Sequence, residues 1–229
     1  MLKIITTLSM VLAAHLAQAQ TQVQPFTKIE AEGNVNVIIK EGPEYSVTFS
    51  EGDGNASAEA LDGTLKITAD AGRTATIQIA APKVTSIRAS KASIRVAGGL
   101  SQEKIAIKLT DGASISGNLE ANSVAIAARS GSKVSARLQT GSFKGRFTGN
   151  SKVSLSGKAD YARLDASGST LCLARNLISQ KALVRATGNS DMTVNTLGQI
   201  SLSVDETAKI TCIGSRTPSI DDARVVLAH

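Results

Sequence analysis

Two rhythms of apolar and polar residues divide the chain. From Gln24 to about Pro82 apolar and polar positions alternate, the period of half-buried β-strands. Phe26 to Ala31 and Val35 to Ile39 are short strands joined by Glu32-Gly33-Asn34, with Val35, Val37 and Ile39 on one face. Glu41-Gly42-Pro43-Glu44 predicts a turn, after which Tyr45, Val47 and Phe49 alternate again. Glu51 to Ser57 reads as a loop. Leu61-Asp62-Gly63-Thr64-Leu65 predicts a tight hairpin, because Asp-Gly accepts the positive φ angles of a two-residue turn. Thr76 to Ala80 is a further strand that stops before Pro82. The expectation for this portion is ordinary antiparallel pairing.

From Val84 the rhythm lengthens. A small turn returns every ~19 residues, in the range that marks solenoids. Its copies are Asp111-Gly112-Ala113-Ser114-Ile115, Ser130-Gly131-Ser132-Lys133-Val134, Gly149-Asn150-Ser151-Lys152-Val153, Ser167-Gly168-Ser169-Thr170-Leu171 and Gly188-Asn189-Ser190-Asp191-Met192. Degenerate copies stand at Ser90 to Ile94 and Glu206 to Ile210. Aligned, they give three columns. Lys91, Gly112, Gly131, Asn150, Gly168, Asn189 and Thr207 are mostly residues that tolerate a left-handed backbone. Ala92, Ala113, Ser132, Ser151, Ser169, Ser190 and Ala208 are all small, as stacked corners require. Ile94, Ile115, Val134, Val153, Leu171, Met192 and Ile210 are apolar and predict an inward ladder.

Helical solenoids are excluded, since no unit has room for two helices and β-branched residues, Gly and Ser are dense throughout. A β-sandwich with Gly/Ser turns does not explain three aligned columns. The pattern predicts an all-β parallel solenoid of about seven coils, preceded by a short antiparallel portion. The boundaries follow: 1–19 leader, 20–82 N-terminal β portion, 83–213 solenoid, 214–229 C-terminal tail or cap.

The leader reads as a cleaved export signal. Lys3 is its positive start, Ile4 to Leu16 its apolar run, and Ala17-Gln18-Ala19 an A-x-A cleavage site. No later stretch is apolar enough to span a membrane as a helix. Aromatic residues make up 3% of the chain and Trp is absent, so the core must be built from thin aliphatic layers. The formal net charge is +6, or +5 without Lys3, with Lys and Arg spread through the repeats and not gathered in a block. Such a surplus favours anionic partners such as lipopolysaccharide or acidic glycans. Nucleic acid does not fit an exported chain with so few aromatics. Cys172 and Cys212 lie two coils apart, roughly 10 Å at one strand spacing per coil, too far for a disulfide. They also differ by one residue in phase, so one is expected inside and the other outside.

With these residues in view, the chain resembles the family of exported bacterial proteins known as the putative auto-transporter adhesin, head GIN domain. The resemblance rests on Phe26-x-x-Ile29, on Gly33-Asn34-Val35-Asn36-Val37-Ile38-Ile39 with Gly42, on the repeated small turn, and on the closing Gly214 to Pro218. It covers nearly the whole mature chain. It implies a right-handed parallel β-helix with an N-terminal β portion, and an adhesin-like role by analogy. It brings no catalytic residues.

Enzymes built on β-helices need clustered carboxylates with a base. Here Asp111, Asp165, Asp191 and Asp205 are scattered, and beyond the leader the only His is His229. No catalytic residue, cofactor or metal site is expected. Asp221-Asp222 reads as a solvated turn. Glu51, Asp53, Asn55 and Asp62 have the spacing of calcium ligands, but Ala56 replaces the required Gly. The residues with binding potential are Ser114, Ser116, Ser135, Ser154 and Thr193, which predict an outward polar ladder, and Tyr161, an aromatic platform of the kind sugars stack on. Phe143 and Phe147 are the other coil aromatics, and Phe147 is expected inside. The reading is a non-enzymatic, exported binding module whose partners are envelope glycans or another surface protein. A self-assembling scaffold, joined through solenoid ends, and a polysaccharide-acting enzyme are the alternatives.

Overall fold

The computed structural model describes residues 21–50, 56–214 and 225–228. The expectations for the leader, the Glu51 to Asn55 stretch, Asp221-Asp222 and His229 lie outside them. No helix occurs among the described residues, and none is long and apolar enough to cross a membrane. The strands are β1 (Thr21–Gln22), β2 (Lys28–Gly33), β3 (Val35–Glu41), β4 (Ser46–Phe49), β5 (Ala56–Leu61), β6 (Thr64–Ala69), β7 (Ala75–Ala81), β8 (Ser86–Ser90), β9 (Ser93–Ala97), β10 (Leu100–Thr110), β11 (Ser114–Ala128), β12 (Lys133–Thr148), β13 (Lys152–Ser167), β14 (Leu171–Ala186), β15 (Asp191–Val204), β16 (Lys209–Ile213) and β17 (Val225–Ala228). They join in one sheet wound into a parallel β-solenoid of about seven turns.

The long strands β11 to β15 each run round most of a coil and pair in parallel with the coils before and after. Each regular coil presents three outward stretches. In β12 these are Lys133 to Ser135, Arg137 to Gly141, and Ser142 to Arg146, with Val134, Ala136, Leu138, Phe143 and Phe147 buried between. The inner ladder is Ile94, Ile115, Val134, Val153, Cys172, Met192 and Ile210, each in register with the next. Phe143 and Phe147 are both fully buried, so Phe143 is no sugar platform. Gly145 makes room for them: a Cβ there would come within 2.6 Å of the Phe147 ring.

The left-handed column holds at Lys91, Gly112, Gly131, Asn150 and Gly168, but not at Asn189, where Gly188 takes the positive φ (62°), nor at Thr207. The small and apolar columns hold except at one turn. There the buried small residue is Thr170, not Ser169, and the ladder residue is Cys172, while Leu171 is exposed beside Lys152 and Asp191. This one-residue step also overturns the expected phase of the thiols. Cys172 and Cys212 both point inward and both are free, as the distance argument expected. The turns are held by a recurring bond. The hydroxyls of Ser132, Ser151, Thr170 and Ser190 donate to the carbonyls of Arg129, Thr148, Ser167 and Thr187, three residues back, at 2.6–2.9 Å.

The start of the chain is mixed. Antiparallel pairing is confined to β1 on β4, β4 on β7 and β5 on β6, the last through the Asp62-Gly63 hairpin. Both turn residues have positive φ, 49° and 71°, as that hairpin demands. By contrast β2 and β3 pair in parallel, with β6 and β7 on one side and with β8 and β9 on the other. Parallel winding therefore begins before Pro82. Phe26, fully buried, packs edge-on against Tyr45 at 5.2 Å.

Candidate functional site

A groove runs along the second outward stretch of the coils. At its first edge the chain bends at Gly117 (φ 141°) and Gly157 (φ 102°). A side chain at Gly157 would collide with the carbonyl oxygen of Leu138 on the preceding coil, so only glycine lets the two coils close here. A register shift between Ser154 and Ser156 falls at the same corner.

Beyond the bend, polar side chains stack coil upon coil. Asn118, Arg137, Ser156 and Asn176 form one row in register. Glu120, Gln139, Lys158 and Ile178 form the next. Asn122, Asp160 and Gln180 line the far side, with Leu197. Two adjoining hollows, of about 610 and 490 Å³, share Glu120, Gln139, Lys158 and Ile178 and so make one elongated groove. Beneath it the inward hydroxyls are satisfied internally. Thr140 donates to the carbonyls of Asn122 and Ser142, and Ser179 bonds Thr196 at 3.0 Å.

The groove's charges are not consumed within the protein. The ion pairs among the described residues are Arg88–Glu30 and Arg163–Asp165, neither of which lies in it. Glu120, Arg137, Lys158 and Asp160 are exposed, and so are the amides of Asn118, Asn122, Gln139 and Gln180. Donors and acceptors thus recur at the ~4.8 Å strand spacing. Ile178 and Leu197 (51% exposed) add apolar contact. No group of three or more His, Cys, Asp or Glu residues stands ready for a metal ion among the described residues.

The expected binding residues are not among those lining this groove; they stand on the stretches before and after it. Ser116, Ser135 and Ser154 stack in one column, continued through Leu173 to Thr193. Leu173, 46% exposed, interrupts the hydroxyl ladder. Ser114 stands one column earlier and donates to Ser93 at 3.1 Å. Tyr161 is on the opposite rim, next to Asp160, and exposed. The ladder and Tyr161 do not share a face; the groove lies between them. Sequence reasoning missed the groove residues themselves. Their signal was present three to nine positions after each small turn, as recurring Asn, Gln, Arg, Lys and Ser at outward phase.

A parallel β-solenoid with a polar groove along its coils is the class this molecule belongs to. The chain belongs to the putative auto-transporter adhesin, head GIN domain family, whose profile matches residues 25–215. Among solved structures it is similar to a putative adhesin from Parabacteroides merdae, 12% identical, with a TM-score of 0.79 over 92% of each chain. It is also similar to a putative adhesin from Parabacteroides distasonis, 14% identical, TM-score 0.79, over 93% of this chain and 94% of that one. A third likeness is a putative lipid binding protein from Parabacteroides distasonis, 10% identical, TM-score 0.75, over 93% and 91%. At these identities the likeness is one of fold. No curated protein matches the chain.

Proposed function

We propose that the chain is a non-enzymatic, adhesin-like module of the bacterial cell envelope or surface, and that its groove takes a glycan. The observation that carries this reading is the groove itself. It spans several coils, is lined by unpaired amides and charges over internally bonded hydroxyls, and lies between the stretches that carry the Ser116–Ser135–Ser154 column and Tyr161. Stacked amides and carboxylates suit sugar hydroxyls, which both donate and accept. Ile178, Leu197 and Tyr161 suit the apolar faces of sugar rings. The three-part leader supports export, and the adhesin descriptions of the family and its structural relatives support binding over turnover.

A glycan array carrying envelope-type oligosaccharides tests the reading. The parent chain is expected to retain a defined subset. Gln139→Ala and Tyr161→Ala are each expected to weaken that retention about fivefold or more, about one hydrogen bond or one stacked ring. Retention unchanged in both variants removes the groove from the function. Release of reducing ends from a bound polysaccharide would replace a binding role with an enzymatic one.

A further inference from the structure

The third outward stretch of the coils carries a different chemistry. In register across β12, β13 and β14 stand Ser142, Tyr161 and Lys181, then Lys144, Arg163 and Leu183, then Arg146, Asp165 and Arg185. Five cations and one carboxylate give this patch a net charge of +4 (5 − 1). Neighbouring coils bound it. The equivalent positions of β11 are Ser123, Ala125 and Ala127, and those of β15 are Gln199, Ser201 and Ser203, all uncharged. Lysines and arginines that are dispersed along the sequence are thus gathered on one face by the coil period.

We infer that this face of β12 to β14 is a docking surface for an acidic polysaccharide, held by Lys144, Arg146, Arg163, Lys181 and Arg185. The inference adds a second surface to the binding-module reading and rests on a separate set of residues. Like charges on neighbouring strands destabilise a sheet, yet Lys144 is in direct register with Arg163. Asp165 sits between Arg146 and Arg185, and its one ion pair is with Arg163 at 3.2 Å. Lys144, Arg146, Lys181 and Arg185 are exposed and make no ion pair among the described residues. Lys144 and Arg163 lie on successive coils ~4.8 Å apart, and Arg146 and Arg185 about twice that on either side of Asp165, rises comparable to one and two sugar units of an extended acidic chain. A lipid surface is a poorer match, because the only aliphatic side chain in the patch is Leu183, half-buried among cations. A nucleic acid is a poorer match because one tyrosine supplies no row of stacking platforms.

The test is binding of soluble polygalacturonate by the full chain, read by biolayer interferometry as salt rises from about 0.05 M to about 0.5 M, several-fold shorter in screening length. The parent is expected to bind at low salt and release as salt rises. The double variant Arg146→Gln/Arg185→Gln is expected to bind about fivefold more weakly, with an unchanged melt, because both side chains are exposed. Lys40→Gln, at an exposed position outside both surfaces, is expected to bind polygalacturonate like the parent. The inference is overturned if the parent does not bind at low salt, or if the double variant binds equally. It is also overturned if single-stranded DNA or phosphatidylglycerol vesicles bind more tightly than polygalacturonate. Loss of neutral-glycan retention in Gln139→Ala alone bears on the groove and leaves this face untouched.

Discussion

Gly157 and Gly131 both have positive φ, yet they predict different losses. At Gly131 (φ 75°) the space a Cβ would enter is empty. Gly131→Val therefore costs only backbone strain, about 1–2 kcal/mol. At Gly157 the Cβ meets backbone of the preceding coil. Even Gly157→Ala must push two coils apart, at about 3 kcal/mol or more. Urea denaturation should rank the two in that order, and the reverse ranking would mean that the groove corner is not closed as described. Ser151→Ala removes the hydroxyl that satisfies the Thr148 carbonyl and should cost about 1 kcal/mol. The turns that carry Ala92, Ala113 and Ala208 at this corner show that the shape survives without it. The thiols give a chemical readout. Burial pushes Cys172 up to about 12 and Cys212 up to about 11. Neither should react with iodoacetamide at pH 8 in the folded chain, and both should react in urea. Most of this was legible in the repeats, but Ser169-Thr170 offered two small residues in succession. Composition alone does not choose between them, and the wrong choice shifted Leu171 and Cys172 by one place.

At the level of one turn, the copy before β16 shows how a corner without glycine is made. The Asp205 carboxylate accepts from the backbone N–H groups of Gly188, Thr207 and Ala208, at 2.6, 3.2 and 3.1 Å, and from the Thr207 hydroxyl. The bond from Gly188, on the preceding turn, is the main reason its pKa lies below the ordinary carboxylate value. A depressed pKa means that the stabilisation is present above the unfolded carboxylate range and is lost as pH falls through the lower folded value. The melting temperature of the parent should therefore exceed that of Asp205→Ala at neutral pH, with the gap closing in acid. A gap that persisted unchanged at low pH would show that the charge on Asp205 is not what holds the turn. In sequence this copy looked like a degenerate Glu206-Thr207-Ala208 turn. The compensating carboxylate lay one position before the motif, outside the columns. The groove was hidden for a related reason: its bends at Gly117 and Gly157 fall at different places in their coils, so no column of glycines announced them.

For the whole molecule, chain order and stacking order differ, and that difference is testable. In a simple solenoid the first segment of chain forms an end coil with one neighbour. Here β2 and β3 come early in sequence but lie between β6–β7 and β8–β9. The alternating pattern of residues 24 to 82 could not reveal this, because period 2 reports which face is buried and not which strand lies alongside. The same limit kept the basic face unseen until the register was known. Ile29, Val35, Val37 and Ile39 of the inserted pair are all at most 1% exposed. At about 2 kcal/mol for each aliphatic side chain they contribute about 8 kcal/mol, comparable to the 5–15 kcal/mol that holds a typical domain. Their removal would also unpair β6 and β7 from the rest of the solenoid. A chain beginning at residue 42 is therefore expected to lose its cooperative melt by circular dichroism and to be cut readily by protease. A chain ending at residue 224 lacks only the short pairing of β17 on β16 and should keep the melt. A cooperative transition at the parental temperature in the chain from residue 42 would place β2 and β3 at the periphery and refute their central position.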